Sequence, residues 1–405
     1  MGIFESMKKP AVRNAVLIGS LCSVSYLGVY FARNILGAVT PQIVNSGVYG
    51  ESYIGTVSSL YFTFYAVGQL INGLIGDKIN ARIMISLGLI FAGITNFIFP
   101  FMLGNPTAAQ FVYGMTGFFL SMIYAPMTKV VAENTEPVYA TRCSLGYTFA
   151  SFFGSPLAGV AAALLVWTTV FTVSSAILVV MGIICFTVFL ALEKKGIVKY
   201  HQFDKPKEEN KGSIKLLIER QIIKFTFISV LTGIVRTTVV FWLPTYISQY
   251  LGFSSETSAM LFTVATLVIS FTTFVTIFVY EKLNRNMDLT ILLAFILSAI
   301  SFLLVYLIKQ PAINIALMVC AIMSSNGAAT MLWSRYCPSL KDTGKVSSAT
   351  GFLDFMSYMA AAASSTIFAN AVSSIGWKNL IFVWFVLAAM GIIVSLPKKI
   401  KKESV

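Results

Sequence analysis

Two arginines lie inside apolar stretches long enough to cross a lipid bilayer, Arg33 in residues 12–40 and Arg236 in residues 221–248. A charged side chain at such a depth costs several kcal/mol unless a partner or a water-filled cavity compensates it. The planar guanidinium group binds carboxylates and phosphates through paired hydrogen bonds. The two residues therefore indicate a site for a small anion, which would relieve the repulsion between two positive charges facing one cavity.

Arg33 shares a helix face with two tyrosines. In the pattern Tyr26-x-x-x-Tyr30-x-x-Arg33, steps of four and three residues place the three side chains above one another. We expect both phenols to line the same site as the guanidinium. A structural alternative stays open, in which each arginine pairs with helix carbonyls or one of them pairs with Asp354.

Asp354 is the one acidic residue, of 16, that we place well inside an apolar stretch. Its carboxyl group could bind a proton, or contact a hydroxyl or amine of a substrate. A structural salt bridge or a hydrogen bond between helices explains it equally well. Tyr358 follows four residues later and shares its face, so we include Tyr358 in the candidate site.

The elements that position these residues are membrane helices. Of the 405 residues, 57% are apolar and 11% are charged, whereas about a quarter of a soluble protein is charged. We predict an all-α polytopic membrane protein with twelve transmembrane helices, here called spans 1 to 12. Their approximate limits are 12–40, 52–76, 82–103, 107–131, 140–164, 168–193, 221–248, 256–281, 286–308, 310–334, 344–373 and 376–396.

The basic residues predict the orientation of the chain. All but four of the 29 Lys and Arg residues fall at the N-terminus, in alternate loops or in the C-terminal tail. By the positive-inside rule, both termini are cytoplasmic in a multi-pass protein of the cell membrane. Residues 1–10 are too short and polar for a cleavable signal. Basic residues scattered over short loops do not form a nucleic-acid-binding face, so we expect no nucleic-acid partner.

Several kinds of chemistry lack a sequence signature. The five cysteines show no pairing pattern and no C-x-x-C, which argues against disulfides and metal clusters. The sequence contains no phosphate-cradling glycine loop and no nucleophile elbow. We therefore expect no enzymatic activity, no metal and no cofactor. We expect the lipid bilayer and a small organic anion as partners, and a monomer.

The two halves of the chain share landmarks about 200 residues apart. Arg33 precedes Pro41 by eight residues, and Arg236 precedes Pro244 by eight. Asp77-Lys78-Ile79-Asn80 after span 2 is echoed by Glu281-Lys282-Leu283-Asn284 after span 8. Such spacing indicates two related six-helix halves. We place the N-terminal half at residues 1–192, a cytoplasmic linker at 193–220 and the C-terminal half at 221–405.

This layout resembles the major facilitator superfamily over nearly the whole chain. The run Gly73-x-x-Gly76-Asp77-Lys78-x-x-x-Arg82 is similar to the superfamily's signature loop between helices 2 and 3. The resemblance implies gating roles for Asp77, Lys78 and Arg82. The alternative is that they are charges at helix ends with no gating role.

A narrower resemblance is to the organophosphate:phosphate antiporters, the family of glycerol-3-phosphate and hexose-6-phosphate transporters. It is carried by Tyr26-x-x-x-Tyr30-x-x-Arg33-Asn34, by Tyr65-x-x-x-Gln69, and by Arg236-x5-Trp242-x-Pro244-Thr245-Tyr246. The resemblance implies that Arg33 and Arg236 hold a phosphoryl group. It also implies that Tyr26, Tyr30 and Tyr65 line the site.

Two positions depart from that family. Gln69 stands where the glycerol-phosphate type has Lys, and Ser151 where it has His, while the one histidine, His201, lies in the linker. The site therefore has one positive and one titratable group fewer, and a carboxylate fits two arginines about as well as a phosphate ester. The predicted substrate-binding residues are Arg33, Arg236, Tyr26, Tyr30, Tyr65, Gln69, Ser151 and Tyr358.

The expected function is alternating-access transport of a small organic anion. The resemblance favours an organophosphate or sugar phosphate, exchanged for phosphate or coupled to protons. One alternative is a carboxylate or sugar-acid symporter, since the helix 1 arginine of the anion:cation symporters is similar. Another, of a different class, is a membrane sensor for a phosphorylated metabolite.

Overall fold

The computed structural model describes residues 10–75, 79–102, 104–200, 214–340 and 346–396. Across these residues the chain is helical, with turns between helices and no β-strand. The prediction of an all-α protein is confirmed. The described chain forms two compact units.

Unit 1 consists of Met1–Glu209, Phe241–Leu267 and Ala362–Asn370, and unit 2 consists of Asn210–Val240, Val268–Ala361 and Ala371–Val405. The helices of the first half are Pro10–Asn45, Glu51–Ile75, Ala81–Ile98, Pro106–Leu120, Tyr124–Asn134, Pro137–Phe152, Gly154–Leu164 and Trp167–Lys194. Those of the second half are Ile214–Glu219, Ile222–Gly233, Val240–Gln249, Ser255–Ser270, Thr272–Lys282, Met287–Leu307, Pro311–Met331, Cys337–Ser339 and Val346–Ser395. The tight turn Phe99–Met102 and the wide π-helical turns Ile234–Val239 and Leu332–Tyr336 continue three of these helices.

The predicted twelve spans can be placed on these helices. Within the described residues, ten helical segments are long and apolar enough to cross a membrane, and Ala150–Leu164 is a shorter apolar helix that matches span 5. The tenth segment, Ala349–Ser395, contains spans 11 and 12. Its backbone breaks at Gly376, where φ is 73° and ψ is 166°, a conformation that a residue with a Cβ rarely adopts.

Spans 4 and 5 are each interrupted by a proline. Span 4 breaks between Leu120 and Tyr124, just before Pro126, and span 5 breaks at Phe153, just before Pro156. A proline has no N–H to bond the carbonyl four residues earlier, and its ring clashes with that carbonyl. The hydropathy pattern predicts one helix for each span, whereas the prolines divide both spans.

Polar side chains fasten the helices of unit 1 to one another. The Asn72 amide in span 2 donates to the Ser121 hydroxyl at the break in span 4, at 2.7 Å. The Asn96 amide in span 3 donates to the Ser175 hydroxyl in span 6, at 3.0 Å. Asn72 is 3% exposed and Asn96 is fully buried, so both bonds lie where water does not compete. These residues hold the helices that carry the site.

Unit 1 also contains a seam between the first half and two segments of the second half. The Ser58 and Ser365 hydroxyl oxygens lie 3.1 Å apart in a buried contact, and the Asn45 amide donates to the Ser255 hydroxyl at 2.8 Å. Gly55 lies so close to Ala369 that a Cβ at position 55 would collide with it. Spans 2 and 11 therefore pack in direct backbone contact along this seam.

Unit 2 has an apolar core near the linker. Phe225 stacks on Tyr336 with ring centroids 3.5 Å apart, and Leu332 and Leu353 are fully buried beside them. The Lys224 ammonium pairs with the Asp288 carboxylate at 2.9 Å. This core anchors the starts of spans 7 and 11.

Candidate functional site

The Arg33 guanidinium is held among aromatic rings of unit 1. Its central carbon lies 5.2 Å from the ring centroid of Tyr30, 5.2 Å from that of Tyr65 and 5.7 Å from that of Phe62. Ring faces stabilise a cation electrostatically but carry no negative charge of their own. The arginine can therefore be kept in an apolar span and still attract an anion.

Arg33 lies deep in its helix. It is twelve residues before Asn45, the last residue of the helix Pro10–Asn45, which corresponds to about 18 Å along the axis. Tyr26 and Tyr30 precede it on the same face, with their rings 4.9 Å apart and nearly perpendicular. The predicted alignment of these three side chains on one helix face is observed.

The position of Tyr30 depends on a glycine in span 5. A Cβ on Gly154 would lie 2.5 Å from the backbone carbonyl carbon and from the Cβ of Tyr30. Such a distance is far shorter than van der Waals contact. Only glycine allows the second piece of span 5 to pack this closely beside the Tyr30–Arg33 turn.

Three tyrosines from spans 1, 4 and 5 form a cluster, of which the sequence pattern predicts only Tyr26 as a site residue. The ring centroids of Tyr26 and Tyr124 lie 5.6 Å apart, those of Tyr26 and Tyr147 lie 6.0 Å apart, and those of Tyr124 and Tyr147 lie 6.2 Å apart. We call Tyr26, Tyr124 and Tyr147 the tyrosine cluster. Since Tyr26 also contacts Tyr30, the cluster continues toward Arg33.

The other predicted residues of unit 1 lie on the same elements. Tyr65, which contacts Arg33, is 2% exposed, and Gln69 follows it by one helical turn and is partly exposed. Ser151 is buried and follows Tyr147 by one turn. That four-residue spacing is the only local signal that links Tyr147 to the site, and it is weak in a chain with 17 tyrosines.

Arg236 lies in unit 2, in the π-helical turn Ile234–Val239. Such wide turns interrupt the regular hydrogen-bond ladder and occur frequently at functional sites. Arg236 is thirteen residues before Gln249, the last residue of the helical segment Ile222–Gln249, or about 20 Å along the axis. The corresponding distance for Arg33 is about 18 Å, so the two arginines lie at similar distances from the ends of their own helices.

Span 7 is fastened to span 11 around Arg236. The Ser229 hydroxyl donates to the Leu353 carbonyl at 2.7 Å, and the Thr238 hydroxyl donates to the Ala361 carbonyl at 3.1 Å. Between these bonds, Gly233 packs on Ser357, whose carbonyl oxygen would be 2.8 Å from a Cβ at position 233. The predicted residues Asp354 and Tyr358 directly flank this contact on span 11.

Asp354 lies near the start of its helix. It is the ninth residue of Val346–Ser395, about 12 Å from the first one. Its side chain is partly exposed, whereas Tyr358 is 4% exposed. Burial raises the pKa of the Cys337 thiol, just beyond span 10, and the Asp354 carboxylate raises it further. The carboxylate is therefore close to the end of span 10.

Of the three predicted gating residues, Arg82 is described and Asp77 and Lys78 lie outside the described residues. The Arg82 guanidinium pairs with the Glu193 carboxylate at 2.8 Å and lies over the Phe186 ring at 5.0 Å. The Tyr200 hydroxyl donates to the same carboxylate at 2.7 Å. Burial and the bond to Glu193 raise the pKa of Tyr200 above its ordinary value.

Comparison with known proteins bears on the family. The profile of the Major Facilitator Superfamily matches residues 22–366. The membrane sensor protein UhpC of Escherichia coli is 36% identical over 78 residues, which cover 19% of this chain and 18% of the sensor. The glycerol-3-phosphate transporter of Bacillus subtilis is 24% identical over 269 residues, which cover 61% of this chain and 60% of the transporter. The chain thus aligns with less than two thirds of either relative.

A solved structure shows the same fold. The bacterial homologue of the human lysosomal transporter Spinster, in an inward-facing and unoccupied conformation, superposes with a TM-score of 0.73 and 11% identity. The superposition covers 96% of each chain. Both the helical architecture and the family profile extend over most of the sequence, and the chain therefore belongs to the Major Facilitator Superfamily.

Proposed function

We propose that this chain is an alternating-access transporter of a small organic anion, and that Arg33 and Arg236 bind the anion. The observation that carries the proposal is the Arg33 guanidinium, held by the rings of Tyr30, Phe62 and Tyr65 about 18 Å from the end of its helix. Ring faces stabilise the cation at this depth without contributing a negative charge, so the guanidinium group can still attract an anion.

Arg236 enters the proposal through the sequence repeat. Each arginine precedes a proline by eight residues and lies at a similar distance from the end of its own helix. Both arginines are assigned to one anion, which forms charge-assisted hydrogen bonds with both guanidinium groups. Without an anion the two charges repel each other, so the empty carrier closes reluctantly. This property favours exchange of one anion for another.

An organophosphate is the first choice of substrate class. A relative over 269 residues is named a glycerol-3-phosphate transporter, which supports a phosphate ester. The neutral residues Gln69 and Ser151 support an anion of lower charge, so a carboxylate or sugar acid is the second choice. Exchange with phosphate and coupling to protons are both compatible with two arginines.

The test is uptake of labelled phosphate esters and carboxylates into proteoliposomes, with Arg33→Lys and Arg236→Lys beside the wild type. Lysine keeps the charge but not the planar fork, so we expect uptake to fall at least tenfold in either variant. Arg142→Lys is the matched control, because Arg142 is exposed and also lies over a tyrosine, Tyr139, at 5.8 Å. Undiminished uptake in either site variant would overturn the proposal.

A membrane sensor is the second candidate, because the relative that is 36% identical over 78 residues is named a membrane sensor. A sensor would bind the anion without carrying it across the membrane. The same proteoliposomes distinguish the two functions. Binding that depends on Arg33, without accumulation or exchange of label, would support the sensor.

A further inference from the structure

We propose that the tyrosine cluster is a subsite for the uncharged, hydroxyl-bearing part of the substrate, beside the arginine that binds its charge. Tyr124 and Tyr147 are its specificity-determining residues. The inference rests on the proposed function, since it assumes that Arg33 holds the anionic group. It adds residues from spans 4 and 5 and a requirement on the uncharged part of the substrate.

A continuous series of ring contacts connects the cluster with Arg33. The rings of Tyr124 and Tyr147 contact Tyr26 at 5.6 and 6.0 Å, and Tyr26 contacts Tyr30 at 4.9 Å. Tyr30 in turn lies 5.2 Å from the guanidinium carbon of Arg33. Tyr26 and Arg33 are seven residues apart, about 10 Å along the helix. When Arg33 holds the anionic group of a substrate, the uncharged part of the same molecule can therefore reach the tyrosine cluster.

The three rings differ in exposure. Tyr26 and Tyr147 are 7% and 2% exposed, whereas Tyr124 is 40% exposed. Ring packing alone explains the two buried members, since aromatic pairs stabilise a core in this geometry. It does not explain why the third ring presents so much surface. Tyr124 is therefore the member of the cluster with the most surface open to a ligand.

The break in span 4 positions Tyr124. Pro126 cannot bond the carbonyl of Met122, so the helix restarts with Tyr124 as its first residue. Asn72 of span 2 donates to Ser121 just before the restart and fixes the position of the turn. The position of the Tyr124 ring is thus set by the break in span 4 and not by a continuous helix face.

The chemistry of the cluster fits a polyol. A phenol hydroxyl both donates and accepts hydrogen bonds, and the ring beside it packs against the C–H faces of a carbon chain. Neither the phenol hydroxyl nor the ring can distinguish one anionic group from another. Since Gln69 and Ser151 add no charge, discrimination among anions falls to the contacts with the uncharged part. The predicted class is an anion with adjacent hydroxyl groups, such as a glycerol phosphate, a sugar phosphate or a sugar acid.

The test compares ligands that share the charged group. Glycerol-3-phosphate is paired with inorganic phosphate, and gluconate with acetate, as competitors of labelled anion in proteoliposomes. We expect Tyr124→Ala to lower the apparent affinity for the hydroxylated competitor about tenfold, and that for its partner less than twofold. Tyr124→Phe and Tyr147→Phe should each lower the apparent affinity for the hydroxylated competitor about threefold. Tyr306→Ala is the control. Tyr306 lies on span 9 beside Lys378 of span 12, and its loss should change the apparent affinity for neither member of a pair.

The outcomes separate this inference from the proposed function. The subsite would be overturned if Tyr124→Phe lowered the apparent affinity for both members of a pair equally. It would also be overturned if the ratio of the two apparent affinities stayed unchanged in all three variants. Either result would leave the proposed role of the arginines standing. Undiminished transport in Arg33→Lys would overturn the proposed function first. Where Tyr124→Ala fails to fold, the two phenylalanine variants, which keep the ring, decide the question.

Discussion

Arg82 and Glu193 form an ion pair of 2.8 Å that joins the start of span 3 to the end of span 6. Tyr200 completes the contact, because its hydroxyl donates to Glu193 at 2.7 Å and accepts from the Arg82 amide at 3.3 Å. Next to it, the Lys199 amide donates to the Asn134 side chain at the end of span 4, at 2.7 Å. The residues that follow span 6 therefore connect the ends of three helices of unit 1.

Removing the Tyr200 hydroxyl should lower the stability of this contact. We expect Tyr200→Phe to reduce the free energy of unfolding by about 1 kcal/mol, the net value of one hydrogen bond. The pKa of Tyr200 is raised in the folded protein, so its contribution is complete below the unfolded pKa of about 10 and is lost at higher pH. Thermal unfolding in detergent from pH 7 to 11 should show that the melting temperatures of the wild type and of Tyr200→Phe converge above pH 10.

The prediction has a matched control in the same unit. Tyr139→Phe keeps the ring beside Arg142 and removes a hydroxyl that has no hydrogen-bond partner among the described residues. It should therefore leave the free energy of unfolding unchanged. A Tyr200→Phe variant as stable as the wild type at neutral pH would show that the hydroxyl contributes nothing.

Local patterns predicted much of the fold and the arrangement of three candidate residues on one helix face. The length of the apolar stretches predicted the spans, and the four-and-three spacing predicted the common face of Tyr26, Tyr30 and Arg33. Both signals depend only on neighbouring residues. The breaks at Pro126 and Pro156 were also readable, because a proline inside an apolar helix is a local signal. Mean hydropathy over a long window does not register them.

The contacts of Tyr124 and Glu193 could not be predicted in this way. Each residue meets partners on spans far apart in the sequence, and no spacing rule connects Tyr124 with Tyr26 or Glu193 with Arg82. With 17 tyrosines in the chain, identity alone did not distinguish the cluster from ordinary packing. Tertiary packing supplies this information.

Adding a methyl group at Gly154 should disturb the Arg33 turn. The new Cβ would lie 2.5 Å from Tyr30, so span 5 must move away, which typically costs about 1–3 kcal/mol. We expect Gly154→Ala to lower both the melting temperature and the affinity for the anion. Gly351→Ala is the control, because nothing lies within 4 Å of its added methyl and it should be neutral or stabilising. Equal behaviour of the two variants would contradict the close-approach explanation.

Cross-linking the seam of unit 1 should stop transport. The hydroxyl oxygens of Ser58 and Ser365 are 3.1 Å apart, so cysteines at both positions lie near enough for a disulfide after a small adjustment. Alternating access requires such a contact between halves to open in each cycle. We expect the oxidised double variant to lose uptake and to regain it with a reductant. Each single variant should remain active, and full uptake in the cross-linked protein would show that the seam stays closed during transport.

Asp354 provides the test of proton coupling. Its carboxyl group lies beside the contact between spans 7 and 11, and Asp354 is about 12 Å from the first residue of its helix, Val346–Ser395. A carboxyl group there can take up a proton from the nearer side of the membrane, whereas an amide cannot. We expect Asp354→Asn to abolish accumulation driven by an acid-outside gradient and to leave anion exchange intact, as measured in the same proteoliposomes. Asp288→Asn is the control, because it removes an exposed acid paired with Lys224 and should affect neither activity. Unchanged acid-driven accumulation in Asp354→Asn would assign the residue to helix packing, whereas loss of exchange as well would assign it to the anion site.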